Sequence, residues 1–118
     1  IMTKLESLKK NSHFSIVLRN KVKANDLFSI YRSKNFFRKK DADKKLYISF
    51  VMRRKIGNAV KRNRIKRKLK SSFQKLLKMR NIINSNYVYV IFGKEKVYKE
   101  SSEQLLKKMK KSFMEMKV

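Results

Sequence analysis

The sequence contains no cysteine, a single histidine and only two glycines. Without cysteine there is no disulfide staple, no thiolate zinc site and no cysteine nucleophile, and nothing marks the redox compartment. One histidine, His13, cannot supply the acid and base pair of a histidine-dependent ribonuclease, and no Ser-His-Asp or metal-binding cluster assembles around it. His13 is expected on the surface of a short first helix. Gly57 and Gly93 are too few for a glycine-rich phosphate loop. Apolar runs are short: none approaches a membrane span, and the N-terminal residues lack the basic segment and continuous apolar block of a signal peptide. A cytoplasmic protein is therefore expected, with no membrane partner and no small-molecule cofactor.

Acidic residues are scarce as well, eight against 34 lysines and arginines, which leaves a net charge of +26 on 118 residues. Such a charge opposes its own folding and is relieved by salt or by a polyanion, so nucleic acid is the first partner to consider. Hydrophobic residues still make up 42% of the chain. That suffices for a modest core, and the length suits one domain, 1–118, rather than two.

Periodicity divides the chain into short elements. Lys4 to Lys10 is basic and is expected to be loosely ordered; Asn11 or Ser12 then offers an N-cap for a short helix carrying Phe14, Val17 and Leu18 on one side. Ala24 to Tyr31 alternates as a half-buried strand, with Phe28 and Ile30 on one face and Leu27, Ser29 and Tyr31 on the other. Arg32 to Lys45 has the composition of a connecting loop. Asp41 and Asp43 stand two apart in it, but a Mg²⁺ site needs more oxygen ligands than this, and a solvated loop tip is the better account. Leu46 to Met52 alternates again, placing Leu46, Ile48, Phe50 and Met52 toward the long helix and Tyr47, Ser49 and Val51 on the other face. Tyr87 to Phe92 is a β-branched and aromatic run closed by Gly93, a further strand. Ser101 with Gln104 has capping-box spacing, and Leu105, Leu106, Met109, Phe113 and Met116 recur at helical spacing. A last helix therefore covers the sheet, and Met109, Met114 and Met116 read as packing groups.

The densest signal runs from Lys55 to Lys70. Gly57 can take backbone angles closed to other residues and Asn58 is a good N-cap, so a helix begins near Ala59. Ile65, Leu69, Phe73 and Leu76 follow at steps of four, four and three, one buried stripe of a helix that runs to about Arg80 and gives way to a polar break, Asn81 to Asn86. Arg62, Asn63, Arg64, Lys66, Arg67 and Lys70 fill its remaining surface with no acidic residue beside them in sequence. Guanidinium forks fit phosphate oxygens two at a time, and an asparagine between two of them can read a base or ribose edge. With Arg54, Lys55 and Asn58 in the preceding turn, these residues are the candidate RNA-binding set. A merely solvated face is the alternative, disfavoured because local and global charge agree.

The eleven residues Gly57 to Arg67, Gly-Asn-Ala-Val-Lys-Arg-Asn-Arg-Ile-Lys-Arg, resemble the signature of the protein subunit family of bacterial ribonuclease P, whose centre is an Arg-Asn-Arg motif. Leu8-Lys9-Lys10-Asn11 followed by Phe14 is similar to that family's opening, and the resemblance extends from about Leu8 to Phe113. It implies an α/β (α+β) two-layer sandwich with helices on a mixed four-stranded sheet, in αβββαβα order with a left-handed βαβ crossover into the long helix. Periodicity supports the mixture of helix and strand but not that handedness. The resemblance also implies a cleft for the 5′ leader of precursor tRNA at Phe14, Leu18 and Tyr31, with Leu18 where a second aromatic is common. Val51 and Arg53 stand where the family has small hydroxyl residues, and a glycine common before the first strand is missing near Asn20 to Val22. The implied partners are ribonuclease P RNA, which binds Mg²⁺ and cleaves, and precursor tRNA; this chain would be an accessory subunit with no catalytic residue of its own. Two rivals are a small basic ribosomal or other structural RNA-binding protein, and a DNA-binding protein with the helix in a major groove. Neither accounts for the Gly57 to Arg67 run.

Overall fold

The structure is a computed structural model that describes residues 4–37 and 45–117. The elements follow as β1 (Lys4–Glu6), α1 (Asn11–Val17), β2 (Lys21–Ala24), β3 (Phe28–Lys34), β4 (Lys45–Met52), α2 (Ala59–Leu77), β5 (Tyr87–Gly93) and α3 (Ser102–Glu115), with short 3-10 turns at Arg54–Ile56 and Glu95–Tyr98. The strands form one mixed sheet in the order β1-β4-β5-β3-β2. β5 lies at its centre, parallel to β4 and antiparallel to β3, so Phe50, Ile91 and Ile30 line up in a row across three strands.

Strand alternation sends these residues to one side of the sheet and their neighbours to the other. Toward α2 and α3 face Leu46, Ile48, Phe50, Tyr89, Ile91, Phe28 and Ile30, which meet the α2 stripe Ile65, Leu69, Phe73 and Leu76 and the α3 residues Leu105, Met109, Phe113 and Met116. Phe73 ties the layers together, its ring centroid 6.0 Å from Phe50 and 5.7 Å from Phe113. α2 comes close to β5 at Gly93, where a Cβ would stand 2.7 Å from Leu69 Cδ1 and 3.0 Å from Ile65 Cγ2. On the opposite face Val88 and Val90 carry Val17 of α1 together with Leu8. α1 is only seven residues long, and Tyr31, Tyr47, Val51 and Phe92 on this face stay half-buried.

The mixture of helices and strands, the helical layer on the sheet and the parallel passage from β4 through α2 to β5 agree with the expected class. The sheet has five strands rather than four. The extra one is β1: Lys4–Glu6, expected to be loosely ordered, pairs in parallel with the start of β4, and Leu8 N–H then donates to Ser49 Oγ at 2.9 Å. Three residues are too few to show an alternation. Ala24 to Tyr31 is not one strand either. Asn25 Oδ1 accepts from the N–H groups of Leu27 (2.7 Å) and Phe28 (3.0 Å), a side-chain-closed turn that ends β2 and drops Leu27 into the main core beside Phe28. β3 continues to Lys34 because it pairs with β5 along its whole length, and Phe36 and Phe37, expected in a loop, pack on the α1 side of the sheet. Asp41 and Asp43 lie outside the described residues.

Helix ends differ in detail. α1 has Lys10 at its N-cap with no side-chain bond, so neither Asn11 nor Ser12 caps it. α2 stops at Leu77 instead of near Arg80, and Asn81 takes a left-handed φ of 60°. At α3, Ser101 Oγ accepts from Gln104 N–H at 3.2 Å, but the reciprocal bond comes from Glu100, whose carboxylate accepts the Ser101 N–H at 3.2 Å. Met109 and Met116 are buried whereas Met114 is 49% exposed, so Met114 is not a packing group: Phe113 holds the buried position and its neighbour turns outward.

Candidate nucleic-acid interface

Two residues set where the basic helix starts. Gly57 has a φ of 158° and a ψ of −167°, a region essentially reserved for glycine, and Asn58 Oδ1 accepts from the Lys61 N–H at 2.9 Å. The buried stripe then fixes the rotation of α2. Arg54, Lys55, Asn58, Asn63, Arg64, Lys66, Arg67 and Lys70 are exposed, and Arg62 is half-buried with its Nε 3.5 Å from the Asn58 carbonyl oxygen. All nine residues of the candidate RNA-binding set thus sit on the 3-10 turn, at the N-cap of α2 or in the first turns of α2.

They do not share one flank. Arg62 and Arg64 lie about 200° apart around the helix axis. Arg64 belongs with Lys61 and Lys68 beside the Glu95–Tyr98 turn: its guanidinium carbon is 5.7 Å from the Tyr98 ring centroid, and Lys61 Nζ is 5.1 Å from the same ring and 2.6 Å from Glu95 Oε2. Lys68 Nζ donates to the carbonyls of Tyr98 (3.2 Å) and Glu100 (2.5 Å). Arg62, Lys66 and Lys70 follow at i, i+4 spacing on the other flank.

The carboxylates seen in ion pairs are held by lysines that do not belong to this set. Asp26 accepts from Lys96 and Lys108, each at 2.5 Å, and Glu115 lies 2.9 Å from Lys23. Hydrogen bonds from Lys108 and then Lys96 hold the Asp26 carboxyl well below the usual carboxylate range. Those from Lys61 and Lys23 lower Glu95 and Glu115 in the same sense. Among the described residues no ion pair involves Arg54, Lys55, Arg62, Arg64, Lys66, Arg67 or Lys70. A guanidinium with no carboxylate keeps its fork open to phosphate. The donors do not fit a hard divalent cation, which needs several oxygens at one place: Asp26 is engaged by two lysines, and among the described residues no three His, Cys, Asp or Glu gather. Nor, among the described residues, is any helix long and apolar enough to cross a membrane.

Phe14, Leu18 and Tyr31 come together on the opposite face of the sheet, all packed against the cluster of Leu8, Val17, Val88 and Val90. Each is half-buried, so each serves the core with one side and meets solvent with the rest. Sequence pattern does not single out the larger part of this aromatic surface. Phe37 stacks on Tyr47 with centroids 3.9 Å apart and planes 14° from parallel, and Tyr31 meets Phe92 edge-on at 5.4 Å. His13 lies 5.1 Å from Phe36 and 4.8 Å from Phe37, half-buried against rings rather than free on the surface. The available signal was Phe36-Phe37 itself, an aromatic pair in an otherwise polar and basic stretch. Val51 joins the same cluster, and Arg53 sets its guanidinium carbon 5.8 Å from the Phe92 ring centroid.

A family model described as Ribonuclease P matches residues 2–117. The ribonuclease P protein component of Macrococcus caseolyticus (strain JCSC5402) is 37% identical over 90 residues, covering 75% of this chain and 72% of that protein. That of Bacillus cereus (strain ATCC 10987 / NRS 248) is 33% identical over 118 residues, covering 96% of each. Among solved structures, the RNase P protein of Staphylococcus aureus superposes with a TM-score of 0.71 at 22% identity over 95% of both chains. The RNase P protein from Thermotoga maritima does so with a TM-score of 0.65 at 17% identity over 94% of both. The structural likenesses establish the shared fold, and the sequence matches over nearly the whole length establish that the chain belongs to the ribonuclease P protein family.

Proposed function

We propose that this chain is the protein component of a ribonuclease P ribonucleoprotein and assists endonucleolytic removal of the 5′ leader from precursor tRNA. The observation that carries this reading is the arginine, lysine and asparagine set of α2 and its preceding turn, whose cations make no ion pair among the described residues, on the same frame as a half-buried aromatic face. The two surfaces suit different tasks. Arg62, Arg64, Arg67 and the lysines beside them bind phosphates of the RNA subunit, where a charge-assisted fork gives both affinity and register. Phe14, Leu18 and Tyr31 take unpaired bases of the leader, which any base can satisfy through its π face. Strand scission is assigned to the RNA subunit, as is the Mg²⁺ it needs; in support, among the described residues no three His, Cys, Asp or Glu gather, and one histidine cannot supply an acid and base pair.

The test is reconstitution. Rigorously RNA-free protein is expected to leave precursor tRNA intact in Mg²⁺, and cleavage at the mature 5′ end is expected once the catalytic RNA is added. Cleavage by the protein alone would overturn the assignment of chemistry to the RNA. Pulldown of native complexes with RNA sequencing should recover one structured RNA together with tRNA precursors. Recovery of ribosomal RNA alone would overturn the whole reading.

A further inference from the structure

A cavity of about 500 Å³ opens on the helical side of the sheet, between the loop that follows α2 and the end of α3, with Arg32, Asn81, Asn84, Ser85, Tyr87 and Lys117 in its wall. We propose that this cavity binds one unpaired nucleotide of the catalytic RNA, its base against Arg32, its edge on Asn81 and its phosphate on Lys117. This rests on the functional reading above and gives that RNA a second anchor, apart from the basic set and across the sheet from the aromatic face.

Tyr89 and Phe113 form the floor, their ring centroids 5.4 Å apart. Both belong to the core under α2 and α3, whereas the aromatic face packs on the other cluster. β5 runs seven residues from Tyr87 beside the cavity to Gly93 beneath the first turns of α2, so the two anchors stand about 20 Å apart along the strand. The volume lies within the range of small-ligand pockets, about 300–1,000 Å³. Arg32 is held from two directions: its guanidinium carbon lies 4.2 Å from the Tyr87 ring centroid, and Nη1 donates to the Met116 carbonyl at 3.2 Å. A guanidinium so fixed offers a ready plane on which a base can stack. Burial pushes the Tyr89 phenol up, so it stays neutral and donates to the Asn84 carbonyl at 3.1 Å. Asn81 takes its left-handed φ of 60° at the exposed rim, and the side chains of Asn81, Ser85 and Lys117 make no hydrogen bond or ion pair among the described residues. A free amide carries both donors and acceptors for a base edge, and a free ammonium suits a phosphate. No Asp or Glu among the described residues stands in the wall to repel that phosphate.

Holoenzyme reconstituted with the catalytic RNA is the test. Arg32 holds the end of α3, so the variants are made at exposed positions instead, and unfolding midpoints check that each one folds. The chain has no cysteine and Ser85 is exposed, so Ser85→Cys gives a single attachment point for an azidophenacyl group at the rim. Irradiation is expected to join it to one unpaired nucleotide of the catalytic RNA. Asn81→Asp keeps a residue that tolerates the left-handed φ but loses the amide, and it is expected to weaken assembly about ten-fold. Lys117→Ala should flatten the salt dependence of assembly by about 0.7 of a log unit per log salt, whereas Lys107→Ala, exposed on α3 and outside the cavity wall, should leave the slope as it is. A crosslink that is absent, scattered over many nucleotides or made to tRNA would overturn the inference, as would Lys107→Ala matching Lys117→Ala. Parent protein that still assembles and supports cleavage keeps the functional reading intact in each of those cases. A parent that fails to assemble with the catalytic RNA removes both.

Discussion

Arg62 and Arg64 are next neighbours but one, yet only Arg64 rests on a ring, that of Tyr98, and the two leave α2 on different flanks. Each should contact different phosphates of the RNA subunit. Replacing either with Ala is expected to weaken holoenzyme assembly and to flatten its salt dependence by about 0.9 of a log unit per log salt, whatever leader the substrate carries. Phe14→Ala and Tyr31→Ala should behave otherwise, leaving assembly nearly intact and weakening precursor tRNA about ten-fold or more, since base stacking on an aromatic is worth about 1–3 kcal/mol. Affinities of the assembled variants for both tRNA forms separate the cases; folded variants that lose both forms equally would remove these rings from the leader site. Gly93 raises a question of packing alone. A Cβ there meets the terminal methyl of the fully buried Leu69 at 2.7 Å, so Gly93→Ala is expected to cost about 1–3 kcal/mol of stability by overpacking. Urea unfolding reads this directly, and an unshifted midpoint would mean that α2 can ride outward at no cost.

α2 was the element most legible in the sequence, because its start, its buried stripe and its charged surface are all local signals. Asn58 caps where expected, and Ile65, Leu69, Phe73 and Leu76 are all fully buried. What the sequence hid was set by tertiary pairing. β1 exists because Lys4–Glu6 finds the start of β4, and β3 reaches Lys34 because β5 runs beside it that far. The aromatic surface was half legible: Phe14 and Tyr31 stood out through the family resemblance, whereas Phe37 and Tyr47 become neighbours only when the end of β3 is brought next to the start of β4. The cap gives a prediction at this scale. Asn58→Ala should cost about 0.5–2 kcal/mol, whereas Asn58→Asp keeps the capping acceptor and sets a negative charge at the mouth of the basic set. The Asp variant is therefore expected to melt near the parent and to assemble with RNA less tightly. Equal assembly of parent and Asp variant would place the RNA away from the start of α2.

Across the whole molecule, 34 basic residues face only eight acidic ones, so a carboxylate that holds lysines offsets part of the self-repulsion. Asp26 joins the β2–β3 turn to the Glu95–Tyr98 turn through Lys96 and to α3 through Lys108. Its carboxyl is held below the ordinary range, so the unfolded chain takes up the proton more readily. The contribution is complete above about pH 4 and is lost as the pH falls below that. Thermal unfolding from neutral pH down to about pH 2 should show Asp26→Asn less stable than the parent at the top and a flatter acid limb, with a residual slope from Glu95 and Glu115. Parallel curves would show that Asp26 contributes nothing. Sulfate is expected to raise the midpoint above chloride at matched ionic strength by seating on the basic set, and equal midpoints would speak against a specific anion site. The outer strands matter in a different way. β1 has three residues and β2 four, and β2 slips register between Lys21 and Lys23. A foreign strand laid along either margin would find few amides in step and ammonium groups among them. Among the described residues, each margin therefore offers another copy only a short and interrupted ladder on which to build.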